Sequence, residues 1–297
     1  MNVGFIGLGQ MGKHMSNRIL GAGFNLTVYD INREAAQPIL AKGAKWANSA
    51  KEVAQNTQVV ITMLPTPQDI EQAVNGPDGL KAGWKKGDIY VDMSTNAPST
   101  IKRIAEDAKS LGVSVLDAPV SGGTRGAELG TLTIMAGGDA EALEKVRKVL
   151  ESMAQKVFSV GVVGNGNVAK LINNMLAIAN GLVASEGFVL GVKAGIDPQV
   201  LWDIISVSTG NSWNLSQFPN TVFKGNWAPM FRLNLALKDI GLAVQLAKEN
   251  GVPVQISALA EQKLIEARAA GLGDKGIDSA IVRLEELTGV QVRTKGK

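Results

Sequence analysis

The chain has 297 residues, 45% hydrophobic and 19% charged, a length and composition that allow two globular domains. It has no cysteine, which excludes disulfides, thiolate metal sites and cysteine nucleophiles and permits a reducing compartment. The net charge of +3 and the isoelectric point near 9.0 arise from basic residues scattered among carboxylates, a distribution that suits small anionic ligands better than nucleic acid.

Val3-Gly-Phe-Ile-Gly7 is a short apolar run with no charged leader before it, so no signal peptide is expected, and the protein is expected to be cytoplasmic. Gly7-x-Gly9-x-x-Gly12 follows at once and opens a helical pattern through Met15, Ile19 and Leu20. That order is the one a dinucleotide fingerprint requires: a tight turn, close approach of backbone to pyrophosphate, then close helix packing, with the helix N-terminus facing the phosphates. Gly7, Leu8, Gly9, Gln10, Met11 and Gly12 are therefore the expected cofactor loop. A second strand, Leu26 to Tyr29, ends in Asp30, whose carboxylate is suited to both ribose hydroxyls and repels a 2′-phosphate. NAD is thus expected ahead of NADP, although Asn32 and Arg33 lie close by, and the bland alternative for Asp30 is a turn residue capping the next helix.

Strand-like and helix-like segments then alternate through Gln58 to Leu64, Asp88 to Asp92, Pro98 to Leu111 and Val113 to Asp117, which predicts a parallel, doubly wound sheet. Ligands in such sheets sit beyond the carboxyl ends of the strands, so Leu64-Pro65-Thr-Pro67, Met93-Ser-Thr95 and Ala118 to Gly123 should line one crevice. Leu64 and Pro65 are expected against the cofactor. Thr95 is placed to bond the nicotinamide ribose or, equally, only to approach a helix. Ser121-Gly122-Gly123-Thr124 has the composition of an anion-binding nest and equally of a glycine-rich turn between two strands. A strand from Leu132 to Ala136, a turn at Gly137-Gly138, a helix from Asp139 to Met153 and a strand from Lys156 to Val160 complete a first domain, set at 1–162.

A proline-free apolar run from Gly164 to about Ala194 predicts one helix of roughly thirty residues, some 45 Å long, opening the domain 163–297. Asn180, Ser185, Glu186 and three glycines interrupt its apolar character, so it reads as a buried helix and not a membrane span. Beyond it every segment reads helical, with an Asp197-Pro198 start and an apolar pattern over Leu233 to Asn250.

An alcohol-oxidising nicotinamide enzyme needs a proton donor or acceptor beside the hydride, because the oxygen changes charge as the hydride moves. His14, the only histidine, falls in the cofactor loop and helix, Tyr29 and Tyr90 fall on strands, and no tyrosine-x-x-x-lysine pair accompanies a serine. Lys170 remains, with Asn174 one turn on and suited to a substrate hydroxyl or carboxylate. Apolar neighbours lower a lysine pKa from about 10.4 and a substrate carboxylate raises it. On this ground alone, Lys170 reads equally as a snorkelling surface residue. No metal-ligand spacing is present and no metal is expected.

Gly-Phe-Ile-Gly-Leu-Gly-Gln-Met-Gly at 4–12, Asp-Ala-Pro-Val-Ser-Gly-Gly at 117–123, Gly-x-Gly-x-x-x-Lys-x-x-Asn-Asn at 164–174 and Lys238-Asp239 together resemble the β-hydroxyacid dehydrogenases, the family of 3-hydroxyisobutyrate dehydrogenase, tartronate semialdehyde reductase and 2-(hydroxymethyl)glutarate dehydrogenase. The resemblance runs the whole chain. It implies a Rossmann-type domain followed by an all-helical C-terminal domain joined by a long interdomain helix, often dimeric or tetrameric through the helical part. It also implies that Lys170 is catalytic, that Ser121, Gly122, Gly123 and Asn174 bind the substrate carboxylate and hydroxyl, and that Lys238 serves both cofactor and substrate. His14 stands where the family commonly has proline, and Ser212-Trp213 and Phe231-Arg232 fall where members differ, which leaves the substrate side chain open. Arg232 and Arg125 are candidates for a second anionic group. The expected reaction is hydride transfer between NAD and the primary alcohol of a small 3-hydroxy acid, or its semialdehyde. An imine reductase and a non-catalytic NAD-binding sensor are the alternatives, both disfavoured by retention of Lys170 and, for the sensor, of the Ser-Gly-Gly loop.

Overall fold

Parallel strands buried on both faces should be mainly apolar, and the central strands are, apart from Asn2 at the start of one and Thr62 and Asp92 at the ends of two others. In the computed structural model, which describes residues 1–294, β1 (Asn2–Ile6), β4 (Val59–Thr62) and β5 (Ile89–Asp92) are almost wholly buried. Alternate residues enter opposite cores: Val3, Phe5, Val59, Ile61, Ile89 and Val91 pack on one face, and Ile6, Val60 and Tyr90 on the other. The helices that cover these faces are α1 (Gly12–Gly21), α2 (Gln37–Leu40), α3 (Ala50–Asn56), α4 (Pro67–Asn75) and α5 (Pro98–Ser110). Ser49 caps α3, and a reciprocal Thr66/Asp69 capping box with Pro67 at the first helical position starts α4.

The remaining strands of this unit are β2 (Asn25–Tyr29), β3 (Lys45–Trp46), β6 (Ser114–Asp117), β7 (Val120–Ser121), β8 (Leu132–Gly138) and β9 (Ala154–Ser159), with α6 (Gly123–Leu129) and α7 (Ala140–Glu151) between them. The strand order is β3-β2-β1-β4-β5-β6-β8-β7, with β9 on β8. Pairing is parallel from β3 to β6 and between β8 and β9, but β8 runs antiparallel to β6 and β7. The expected parallel, doubly wound sheet holds from β3 to β6, and the departure at β8 has a topological reason. A parallel return needs a crossover of about a dozen residues or more, and the seven-residue α6 is too short to supply one. The strand read as ending at Ala136 also continues through Gly137 and Gly138, which pair with Asp117 and Leu116.

The chain divides into two compact units, Met1–Lys170 and Leu171–Lys297. The division falls within α8 (Asn165–Lys193), a single 29-residue helix. The second unit continues through α9 (Pro198–Ser206), α10 (Leu233–Glu249), α11 (Gln255–Ala267) and α12 (Ile281–Thr288). One of its cores gathers Ile178, Leu233, Leu237, Ile240 and Leu264, and the other centres on Phe188, Phe218 and Phe223. Ring centroids in that aromatic trio are 5.3 to 6.3 Å apart, within the range where edge contacts add about 0.5–1.5 kcal/mol per pair.

The reading of α8 as a buried helix is corrected. It is long and apolar enough to cross a membrane by length and composition, and only 22% of its most apolar 18-residue window is buried within the chain. Ile172, Leu176, Val183 and Leu190 are exposed on it. Its apolar residues run all round the helix, so the sequence pattern carries no information about which side is covered.

Candidate active site

The three glycines of the first loop are required for three different reasons. Gly7 has φ +95°, and a Cβ there would stand 2.4 Å from the Met63 carbonyl. A Cβ at Gly12 would stand 1.8 Å from the Gly7 carbonyl, so this glycine sets how closely α1 approaches the turn. At Gly9 a Cβ would meet nothing within 4 Å, which leaves open space over exposed backbone at the mouth of α1. Tight turn, close packing and open cradle are the features a pyrophosphate needs in front of a helix N-terminus, so these residues fit a dinucleotide.

Leu8 is buried, while Gln10 is exposed and Met11 half-buried beside it. Asp30 at the end of β2 accepts the Leu8 N–H through Oδ2 (2.6 Å) and the Asn32 N–H through Oδ1 (2.8 Å). The next helical turn is capped by the Asn32 side chain, which accepts from Glu34 N–H, so the capping alternative for Asp30 falls to its neighbour. Asp30 ties the glycine loop to β2. Arg33 lies over the Trp46 ring, 5.5 Å from its centroid.

The loops after β4 and β5 and the end of β6 are joined by a buried polar network. Leu64 N–H donates to Ser94 Oγ (2.9 Å), and Pro65 is exposed next to it. Asp92, fully buried, accepts from Thr62 Oγ1 and Ser94 N–H, both at 3.0 Å, and from Asn96 Nδ2 at 3.1 Å. Thr95 sits half-buried between Ser94 and Asn96. Asn96 N–H donates to Asn167 Oδ1 at 2.7 Å. Asp117, paired in register with Asp92, accepts from Gly164 N–H and Asn167 N–H, each at 2.7 Å. Burial pushes both carboxyls up, Asp117 to about 7 against the pull of the Asn167 and Gly164 N–H groups. The loops after β4 and β5 are thus hydrogen-bonded to each other, and the second of them and the end of β6 are hydrogen-bonded to the start of α8.

Ser121 is half-buried on β7, and Gly122 (φ +128°) and Gly123 (φ +62°) are exposed. The loop leads from β7 into α6, so the reading of a turn between two strands is corrected. Lys170 is half-buried on α8. In the helical unit, Asn174 and Asp239 are 6% and 3% exposed. Asp239 Oδ2 accepts from Asn174 Nδ2 at 2.6 Å, and its Oδ1 lies 2.9 Å from Lys238 Nζ. Asn174 Oδ1 in turn accepts from Asn173 Nδ2 at 3.0 Å. His14 is half-buried in α1, while Trp213, Arg232 and Arg125 are at least partly exposed. No cluster of His, Cys, Asp or Glu suited to a metal occurs among the described residues.

Sequence reasoning gave no role to Asp92, Asn96, Asp117, Asn167 or Asp239. A signal existed for two of them: Asp92 and Asp117 each close an apolar strand that is buried on both faces, where a carboxylate needs dedicated donors.

Comparison with known proteins agrees with this geometry. Residues 2–161 match the family described as the NAD binding domain of 6-phosphogluconate dehydrogenase, and residues 164–284 match the NAD-binding region of NADP-dependent 3-hydroxyisobutyrate dehydrogenase. The chain is 37% identical over 293 residues to 2-(hydroxymethyl)glutarate dehydrogenase of Eubacterium barkeri, covering 98% of this chain and 97% of that one. It is 39% identical over 265 residues to an NAD-dependent L-serine dehydrogenase of Pseudomonas aeruginosa, covering 87% and 89%. The solved structure of Mycobacterium tuberculosis 3-hydroxyisobutyrate dehydrogenase with L-serine superposes with a TM-score of 0.88 at 34% identity, covering 95% and 98%. With a glycine loop shaped for a dinucleotide and relatives that match nearly end to end, the chain belongs to the β-hydroxyacid dehydrogenase family of NAD(P)-dependent oxidoreductases.

Proposed function

We propose that the protein transfers a hydride reversibly between NAD(H) and the primary alcohol, or semialdehyde, of a small 3-hydroxy acid, with Lys170 as general acid and base. The observation that carries this reading is the anchoring of the helix bearing Lys170 to the carboxyl ends of β5 and β6 through Asp117 and Asn167. In this family of sheets that edge is where ligands bind. The bound dinucleotide would supply the hydride acceptor or donor. In oxidation, the Lys170 amine takes the hydroxyl proton as the C–H bond breaks. In reduction, its ammonium returns that proton to the developing alkoxide.

Ser121, Gly122, Gly123, Asn174 and Lys238 are assigned to the substrate carboxylate and hydroxyl. Gly7, Leu8, Gly9, Gln10, Met11, Gly12, Asp30, Leu64, Pro65 and Thr95, again with Lys238, are assigned to the cofactor. Asn174 has its amide nitrogen committed to Asp239, which orients its carbonyl oxygen as an acceptor for a substrate hydroxyl. The Asp30 carboxylate, held by two backbone N–H groups, supports NAD over NADP. Arg125 and Arg232 are assigned to a second anionic group on the substrate. The working division of the chain is 1–162 for the cofactor and 163–297 for substrate and assembly.

We place the enzyme in the cytoplasm as a homodimer or homotetramer. Exposed Ile172, Leu176, Val183, Leu190, Val200 and Ile204 support burial of α8 and α9 against another copy, because apolar side chains in such number along two helices favour an interface. Light scattering on native protein and on Leu190→Lys should show a dimer or larger species that the substitution weakens. A monomer in both would reject the assembly.

The activity is tested by incubating three- to six-carbon 3-hydroxy acids with NAD and with NADP and following reduced nicotinamide. Turnover with at least one such acid, faster with NAD, is expected. Tight NAD binding without turnover of any acid or of its semialdehyde would refute the reading.

A further inference from the structure

We propose that Asp117 is a positioning residue for the reaction: its buried carboxylate caps the N-terminus of α8 from a neighbouring strand and so fixes where the helix presents Lys170. The inference rests on the assignment of Lys170 made above.

The first N–H groups of a helix have no partner within it, and a cap normally comes from the residue just before the helix. Here the cap comes from the end of β6, 47 and 50 residues away in sequence. Asp117 Oδ1 accepts from Gly164 N–H and Oδ2 from Asn167 N–H, both at 2.7 Å, with Asn167 Nδ2 at 3.3 Å from Oδ2. A carboxylate held at both oxygens by one helix end fixes that end both along its axis and in rotation. The fit is tight. A Cβ at Gly137 would stand 2.6 Å from Asp117 Oδ1, and one at Gly166 would stand 2.4 Å from the Asp117 carbonyl and 2.9 Å from Oδ2.

Asn167 extends the linkage. Its side chain is fully buried, donates to Asp117 and accepts from Asn96 N–H, and Asn96 in turn donates to Asp92. Lys170 lies three residues beyond Asn167, one turn on along the same side of the helix. The loop carrying Thr95 and the turn carrying Lys170 are therefore indexed to each other through one carboxamide and one carboxylate. Asp117 is buried and fully engaged with the helix start, so it acts through Lys170 rather than on substrate.

The experiment compares native enzyme, Asp117→Asn and Lys170→Ala under the same steady-state conditions, with NAD affinity and amide hydrogen exchange measured on the first two. Asn keeps the shape and one acceptor but turns an amino group toward one of the two N–H donors. A kcat at least tenfold lower, with KM for the hydroxy acid and Kd for NAD within about threefold of native and faster exchange over residues 164–170, is the expected result. Asp117→Glu should not rescue kcat, because the longer side chain has no room between Gly137 and Gly166. Native kcat in Asp117→Asn, or a fall in kcat and melting temperature accompanied by a rise of more than threefold in both KM and Kd, would overturn the proposal. Should Asp117→Asn fail to fold, exchange in the native holoenzyme decides: Gly164 and Asn167 amides as protected as the interior of α8 support it, and free exchange overturns it. Full activity of Lys170→Ala would instead remove the assignment beneath it.

Discussion

Asp239 holds two of the proposed ligand-binding side chains at once, and its removal has a calculable cost. Asp239→Ala removes the carboxylate that pairs with Lys238, whose side chain keeps 18% exposure, and the acceptor of the 2.6 Å bond from Asn174. Breaking a buried pair on one side costs about 3–5 kcal/mol. The residual exposure of Lys238 sets the lower end, so a loss of about 3 kcal/mol is expected. At about 3 °C per kcal/mol for a domain of this size, the melting temperature should drop by roughly 10 °C. Urea unfolding should show the same loss at unchanged slope. Asp239→Asn retains an acceptor for Asn174 but no charge and should lose about half as much. In a double-mutant cycle, Lys238→Met and Asp239→Leu should couple by at least about 1.5 kcal/mol, since each single substitution takes away the opposite charge that the other residue faces. KM for the hydroxy acid should rise in Asp239→Ala as Asn174 and Lys238 lose their common support. A stability change below about 1 kcal/mol, or additive effects in the cycle, would refute the reasoning.

Four other outcomes are expected from the first unit. Asp117 is shifted upward from 3.8 to about 7, so the folded state favours its protonated form; its stabilisation is present below pH 3.8 and is lost as pH rises through 7. Urea titrations at pH 4 and pH 7.5 should therefore show the stability of native protein relative to Asp117→Asn shrinking as pH rises, by an amount on the order of a few kcal/mol; a constant difference contradicts it. Gly9→Ala should leave the melting temperature of the free protein within about 1 °C, because nothing stands where the Cβ goes, yet weaken NAD binding at least tenfold by calorimetry. Gly12→Ala should instead destabilise severely, because its Cβ would overlap the Gly7 carbonyl. Asp30→Ala should narrow the ratio of kcat/KM for NAD over NADP and loosen the glycine loop, and an unchanged ratio would remove Asp30 from cofactor choice.

The sequence was legible where order is short-range. Gly7, Gly9 and Gly12 lie within one turn and a helix start, so their spacing alone carries the geometry that the fold displays. The Asp197-Pro198 start of α9 is equally local, and the Asp197 side chain does accept from Gln199 N–H and Val200 N–H. Non-local pairing was not legible. The antiparallel run of β8 depends on how far a seven-residue helix can carry the chain, and β3, two residues long, is defined only by its partner β2. The loop at Ser121 to Gly123 has one composition for a nest or a turn, and that it leads into α6 rather than a strand depends on the chain beyond it. Asp117 and Asp239 lie 50 and 65 residues from the asparagines they hold, beyond the reach of any periodicity. The uncovered side of α8 escaped detection because leucines and valines placed all round a helix read alike whether they face a core or another surface.

Proton transfer by Lys170 is the central claim. Single-turnover oxidation of the best hydroxy acid by Lys170→Ala, with NAD affinity measured on the same sample, tests it most directly. The expected result is a hydride-transfer rate reduced by at least about a hundredfold at native NAD affinity, as removal of a general acid or base typically gives. Hydride transfer at the native rate in that variant would contradict the claim.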